Sequence, residues 1–256
     1  MTLESDLDRV ADLCRAARRI LFVTGAGISA DSGLPTYRGI GGLYDDAHTE
    51  DGIPIEVALS GQMMAQRPDI TWKHLAEIEA NCRGAGPNGA HRAIARFERE
   101  KDKVLVFTQN VDGLHRAAGS VEVLEIHGTL HRLRCIDCAR SRTVEDYRGL
   151  EIPPACPHCG GHLRPDVVLF GEELPEQGLR RLETALAGGF DLVFTIGTTS
   201  VFPYVAAPVW WAQRVGWPTV EINPGDSEVS ALVDVRLRIG AAQAFAELGA
   251  RLGWHD

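Results

Sequence analysis

Twenty residues near the start of the chain, Ile20 to Gly39, limit its fold more than any other stretch. Ile20–Thr24 is apolar, β-branched and short, the pattern of a strand buried on both faces. Gly25-Ala26-Gly27 then forms a turn with almost no side chain, and Ile28-Ser29-Ala30 can begin a helix. A strand, a glycine turn and a helix start place backbone N–H groups where a diphosphate can sit, with the positive end of a helix dipole behind them. The pattern Gly-x-Gly-x-x-Ala is a relative of the dinucleotide fingerprint. By itself it is not specific, because many tight turns with two glycines bind nothing.

The next ten residues change its meaning. A dehydrogenase needs a second strand soon after the helix, ending in an acid about 20 residues on that holds the ribose. Here Gly33, Pro35, Gly39, Gly41 and Gly42 crowd the stretch and forbid both helix and central strand. The fingerprint therefore feeds a long loop that carries Tyr37 and Arg38 and can fold over a nucleotide.

The chain has 256 residues, 45% of them apolar, enough for one large domain or a core with a small insert. No run approaches a membrane span, and the first residues lack the basic-then-apolar character of a signal peptide. The expectation is a soluble, cytoplasmic protein. Its formal charge of −9 argues against nucleic acid as a direct partner and suits a basic substrate such as a lysine-rich segment, although many acidic proteins carry such charge simply for solubility.

Taken in order, residues 5–18 have the spacing of an amphipathic helix, and residues 43–66 read as short helices around a lid. Pro68 opens a further helix, and Asn88 caps the next. Buried strands are expected at Lys103–Thr108, Val121–Ile126, Asp191–Ile196, Thr219–Ile222 and Val235–Ile239. They run into Gln109-Asn110-Val111-Asp112, His127-Gly128, Gly197-Thr198-Thr199-Ser200, Asn223 and Gly240-Ala241-Ala242. In an open α/β sheet, ligands bind beyond the carboxyl ends of the strands. Six such ends therefore point glycine and polar residues toward one edge.

Between His131 and Arg164 the texture changes. Cys135, Cys138, Cys156 and Cys159 form two Cys-x-x-Cys pairs separated by 17 residues, the spacing of a four-cysteine zinc site. Four thiolates leave no open position, so such a zinc is structural. Cys14 and Cys82 stand alone. Six arginines against four acids, with the −2 of a zinc–tetrathiolate, leave the insert roughly neutral, a poor grip for nucleic acid.

These elements occur in one order: Gly25-Ala-Gly-Ile-Ser-x-x-Ser-Gly-Leu-Pro-x-x-Arg38, Gln109-Asn-Val-Asp112, His127-Gly128, the cysteine pairs, Val168-x-Phe-Gly-Glu172, Gly197-Thr198 and Ile222-Asn223. The combination resembles the sirtuins, NAD-dependent protein lysine deacylases, from about residue 10 to 250. The resemblance implies an α/β fold. A Rossmann-like parallel sheet has helices on both faces, and a small zinc-binding domain joins it. It divides the one catalytic domain into a large part (1–42, 84–130 and 165–256), a zinc module (131–164) and a lid or helical insert (43–83).

Carried onto this chain, the family pattern implies that Gly25, Ala26 and Gly27 hold the NAD diphosphate. Tyr37 and Arg38 lie beside the nicotinamide ribose and phosphate. Gln109, Asn110 and Asp112 line the nicotinamide pocket, with Asp112 accepting from the carboxamide. Gly197, Thr198, Ser200, Asn223 and Ala242 surround the adenosine. Val168, Phe170, Gly171 and Glu172 belong to a segment that pairs with the substrate backbone as an added strand. His127 is the general base, with Asn110 and Asp112 as its catalytic companions. The implied partner is an acylated lysine of a protein, and the products are free lysine, nicotinamide and O-acyl-ADP-ribose.

Three departures bear on specificity. Thr36-Tyr37 stands where the family often has Asp-Phe. The branch that removes succinyl groups carries a Tyr-x-x-Arg pair after the lid, and the matching place here is Trp72-x-x-Leu75, which cannot clamp a carboxylate. The expectation is deacetylation, extending to longer neutral acyl groups, over desuccinylation. Gly197-Thr198-Thr199-Ser200 shifts the usual Gly-Thr-Ser by one, so the hydroxyl that meets the nucleotide is left open. The alternatives to deacetylation are desuccinylase-type deacylation, protein ADP-ribosyl transfer, a zinc-containing alcohol dehydrogenase and an idle NAD sensor. Locally, Asn110, Asp112 and Thr198 also fit plain capping roles, and His91 and His115 fit structural ones.

Overall fold

The computed structural model describes residues 2–36 and 52–254. In chain order the helices and strands are α1 (Leu3–Ala16), β1 (Arg19–Thr24), a 3-10 helix (Ala26–Ser32), α2 (Ile55–Ala58), α3 (Gly61–Gln66), α4 (Pro68–Cys82) and α5 (Gly89–Glu100). Next come β2 (Lys103–Thr108), α6 (Leu114–Ala117), β3 (Val123–Glu125), β4 (Gly128–Cys135), β5 (Ser141–Thr143) and β6 (Leu163–Val167). The chain closes with α7 (Glu176–Ala187), β7 (Leu192–Ile196), α8 (Pro203–Val215), β8 (Thr219–Ile222), β9 (Val235–Leu237) and α9 (Ala241–Arg251).

Six strands form a parallel sheet in the order β3-β2-β1-β7-β8-β9. Alternate residues of β1 serve opposite faces. Ile20 and Phe22 join a cluster with α1, α5 and α9, while Leu21 and Val23 join one with α7 and α8. Both faces are thus dry, which is why each strand reads as an unbroken apolar run. Phe22 stacks on Phe194 of β7 with centroids 5.1 Å apart.

The register carries the functional consequence. Glu125, Thr108, Thr24, Ile196, Ile222 and Leu237 form one row across the sheet. The residues after them emerge together at one edge. The strand order reverses between β1 and β7, so the turns after these two strands face each other at a switch point. The six expected strands are all present. Three are shorter than the sequence suggested: β7 by one residue, and β3 and β9 by more, because these are edge strands whose ladders pair only three residues.

The turn after β1 differs from expectation. It enters a seven-residue 3-10 helix that ends at Gly33, whose left-handed φ of 82° suits glycine. Residues 43–51 of the expected lid lie outside the described residues; α2 and α3 are its described part.

A second, antiparallel sheet, β5-β4-β6, packs against α2–α4 through a shared apolar cluster containing Leu59, Trp72, Leu75, Leu130, Leu133 and Leu163. Trp72 is wholly buried there and donates from Nε1 to the Leu163 carbonyl at 3.0 Å. Among the described residues, no helix is long and apolar enough to cross a membrane.

Behind the edge of the large sheet, His91 and His115 meet edge-on with ring centroids 4.8 Å apart, both buried. His91 also closes a capping box: its N–H donates to Asn88 Oδ1 at 3.4 Å and its Nδ1 accepts the Asn88 N–H at 3.3 Å. Burial drives His115 down to about 3, helped by His91. Burial also lowers His91 to about 4, against the opposing pull of Asp112. Both rings are therefore neutral in the fold and near 6.5 when unfolded. The unfolded chain takes up more protons below that value, so their contribution is full above about pH 6.5 and is lost as pH falls toward about 4. Thermal melts from pH 7.5 to 4.5 should show Tm falling, and His115→Gln should flatten that slope; a parallel slope would refute the assignment.

Candidate functional site

Two glycine turns in direct backbone contact form the floor of the site. A Cβ added at Gly27 would lie 2.6 Å from Gly197 Cα, and one at Gly25 would lie 2.8 Å from Gly197 O and from Thr198 Cβ. Gly197 itself has a φ of 56° and no room for a side chain against Gly27. The Gly25 N–H donates to Ile196 O at 3.0 Å, and the Gly27 N–H to Gly197 O at 2.8 Å. These two amides knit the turns together. Among the described residues, the Ala26 N–H has no protein partner.

Side chains from β2 brace this floor. Asn110 Nδ2 donates to Gly25 O at 3.1 Å and to Ser29 Oγ at 3.3 Å. Ser29 Oγ in turn donates to Asp112 Oδ2 at 2.8 Å. The other oxygen, Oδ1, accepts the Leu114 N–H at 2.9 Å, capping α6. Asp112 thus has the capping contact its sequence position allowed, and a second contact facing the turn. Gln109 Nε2 donates to Thr198 Oγ1 at 2.9 Å, and Asn223 Nδ2 to Thr198 O at 3.1 Å. Thr198 Oγ1 also receives the Ser200 N–H at 3.1 Å, so the threonine ties three strand ends together.

Above the floor lies a cavity of about 880 Å³. Gly25, Ala26, Gly27, Gln109, Asn110, His127, Gly197, Thr198 and Asn223 line it, as do Val168, Phe170, Gly171 and Glu172. Thr199 also lines it, whereas Ser200 and Ala242 are not among the described lining residues. Ser200 is buried with a left-handed φ of 53°, and its Oγ has no partner among the described residues. The Ala242 N–H donates to Asp31 Oδ2 at 3.0 Å, and it is Asp31 that reaches the cavity. Asp112 lies in a small adjoining recess with Ala26, Ser29 and Cys82. Tyr37 and Arg38 lie outside the described residues.

His127 has both ring nitrogens committed. Nδ1 lies 2.9 Å from Gln109 O, and a carbonyl only accepts, so the proton sits on Nδ1. The Nε2 lone pair then accepts from the Tyr204 hydroxyl at 2.6 Å. Burial lowers the imidazole below its ordinary 6.5, partly offset by the Gln109 carbonyl. Burial also raises the Tyr204 phenol to about 12, so it stays a donor. Sequence reading missed Tyr204; a tyrosine in the first turn of α8, just past the Gly197 turn, was the available signal.

Val168 to Glu172 is held from several sides. The Val168 N–H donates to His127 O at 2.9 Å. The Phe170 N–H donates to Leu59 O, and Phe170 O accepts the Gly61 N–H, both at 3.0 Å. Buried Arg164 grips Glu172 with two bonds of 2.5 and 2.9 Å, and Glu172 Oε2 accepts the Leu169 N–H at 3.0 Å. The rest of this wall is apolar: Leu59, Leu75, Ile78, Leu130, Val167 and Leu169. Trp72 faces away into the core. No lysine or arginine is among the described lining residues, whereas Asp31, Glu172 and Asp226 are.

On the small sheet, the Sγ atoms of Cys135, Cys138, Cys156 and Cys159 all lie within 4.8 Å of one another. The Cys135–Cys159 and Cys138–Cys156 separations are 3.5 and 3.8 Å. Tetrahedral zinc with bonds of about 2.3 Å needs sulfurs about 3.8 Å apart, so the four thiols fit a zinc ion. Such an ion would tie the β4–β5 turn to the loop before β6. One zinc per chain should be found by elemental analysis, and Cys156→Ser should lose it and lower Tm by about 10 °C or more; a metal-free protein with unchanged melting would contradict this.

Residues 25–203 match the model of the Sir2 family. The chain is 51% identical to NAD-dependent protein deacylase 2 of Pseudomonas syringae pv. tomato over 94% of its own length and 98% of that protein. It is 48% identical to NAD-dependent protein deacylase 2 of Pseudomonas aeruginosa, over 93% of each. Among solved structures it superposes on a Sir2 homolog–NAD complex with a TM-score of 0.85 at 34% identity, covering 96% of this chain and 93% of the other. A shared order of strand-end residues, cysteine pairs and glycine turns, together with these matches over nearly the whole length, settles the relationship: the chain belongs to the Sir2 family.

Proposed function

We propose that this protein removes neutral acyl groups, acetyl first, from protein lysines, consuming NAD and releasing nicotinamide and O-acyl-ADP-ribose. One observation carries the reading. His127 stands on the cavity wall beside the glycine floor, with its proton fixed on Nδ1 and its Nε2 lone pair facing the Tyr204 hydroxyl, which lines the same cavity. The relatives named as deacylases, and the solved Sir2–p53 peptide–NAD+ complex at 27% identity and a TM-score of 0.84, support the same chemistry.

The roles rest on the contacts. The Ala26 N–H is the turn amide left to meet the diphosphate, since those of Gly25 and Gly27 are engaged. With acidic and no basic side chains on the described wall, the diphosphate's counter-charge falls to Arg38. Asn110 and Asp112 hold the nicotinamide recess, and Thr198, Thr199 and Asn223 serve the adenosine side. The family pattern assigns Tyr37, outside the described residues, to the nicotinamide ribose. Substrate backbone pairs with the part of Val168–Glu172 that the Leu59–Gly61 segment does not already occupy. This favours Gly171 over Phe170 as the pairing edge.

NAD's glycosidic bond leaves readily because nicotinamide departs neutral. The amide oxygen of acyl-lysine attacks the ribose carbon as the bond breaks. Nε2 of His127 then takes a proton from a ribose hydroxyl, which attacks the amidate carbon. The apolar wall around Leu75 and Leu130 accepts a neutral acyl chain, and a terminal carboxylate finds no cation among the described lining residues.

Nicotinamide release should require an acetyl-lysine peptide. His127→Ala should lower kcat by about 10²–10⁴-fold. Acetyl-lysine should outpace succinyl-lysine, and mass spectrometry should show acyl loss from the peptide, not ADP-ribose gain. Faster desuccinylation, or an undiminished His127→Ala variant, would overturn the reading. Because burial keeps His127 neutral to below its ordinary value, activity should hold at about pH 7 and fall on acidification with a midpoint below about 6.5.

A further inference from the structure

We propose that Tyr204 is a positioning residue that occupies the basic nitrogen of His127 in the resting enzyme, and that NAD must displace it. This inference rests on the reading of His127 as the general base. A neutral imidazole offers one lone pair for hydrogen bonding, and here it is Nε2 because the Gln109 carbonyl holds the Nδ1 proton. The Tyr204 hydroxyl takes that lone pair at 2.6 Å. A ribose hydroxyl that gives its proton to Nε2 needs the same lone pair. The two donors therefore compete for one acceptor.

The tyrosine is built to stay until displaced. Its ring stacks on Phe202 with centroids 5.5 Å apart and planes at 16°, and meets the His127 ring edge-on. It lies in the first turn of α8, which fixes its backbone, and it lines the same cavity as His127. The phenol, raised to about 12, is protonated throughout the working range. While it is in place, the ring is held in one tautomer with both nitrogens engaged. Once NAD enters, the phenol must turn aside, and the loss of its hydrogen bond weakens binding of the nucleotide.

Tyr204→Phe keeps the ring and its stacking but removes the donor. Calorimetry should show NAD binding about three- to tenfold tighter in this variant, the size of one neutral hydrogen bond. In steady state the gain should fall in KM for NAD, not in kcat. On a His127→Ala background the same substitution should give no gain in affinity. Unchanged or weaker binding by Tyr204→Phe, or a gain that persists without His127, would overturn the proposal. So would a tenfold loss of kcat, which would make the phenol a proton relay instead. If His127→Ala kept its deacylase rate, the general-base reading would fall, whereas the calorimetry would still report whether the phenol competes with NAD.

Discussion

The structure depends on a contact that only glycine permits. Two turns, one after β1 and one after β7, meet backbone to backbone at the point where the strand order reverses. Gly27 and Gly197 come too close for any Cβ between them. The Gly25 and Gly27 N–H groups donate across the contact to Ile196 O and Gly197 O, so the floor of the cavity extends the sheet and is not a pair of separate loops. Asn110, Asp112, Gln109 and Thr198 then find fixed partners on that floor. A site whose polar groups are braced in advance loses little entropy when a ligand arrives.

The small sheet and the helices α2–α4 complete the cavity from the other side. They share one apolar cluster, and a zinc ion held by the four thiols beside it would supply stability that three short strands cannot. Arg164 links this part to the wall by gripping Glu172, which in turn orients Val168 to Gly171. The segment beside His127 is thereby held from both halves of the molecule. The charge pattern fits a nucleotide only if cationic help comes from outside the described wall, which is why Arg38 matters to the proposed function.

Much of this was legible in the sequence, and the reasons are local. Strands buried on both faces write themselves as short apolar runs, and glycine or polar residues mark their ends. The paired cysteines announced their cluster by spacing alone. Asn88 showed itself as a helix cap. What stayed hidden depended on partners distant in the chain. No pattern around Gly25 reveals that its amide and that of Gly27 are engaged by Ile196 and Gly197. The strands of the small sheet escaped notice because Arg132 and Arg134 alternate with Leu133 over too few residues to stand out. Tyr204 reads as one more aromatic at a helix start until His127, 77 residues earlier, is seen beside it. Ser200 and Ala242 had motif support, yet in the fold they brace neighbours of the cavity and do not line it.

The most direct test is the affinity of a Gly27→Ala variant for NAD, measured by calorimetry on zinc-loaded protein with native circular dichroism. One methyl between the two turns should pry the floor apart and weaken binding at least tenfold while the sheet and its helices persist. Unaltered affinity in a folded variant would show that the nucleotide site does not rest on this contact.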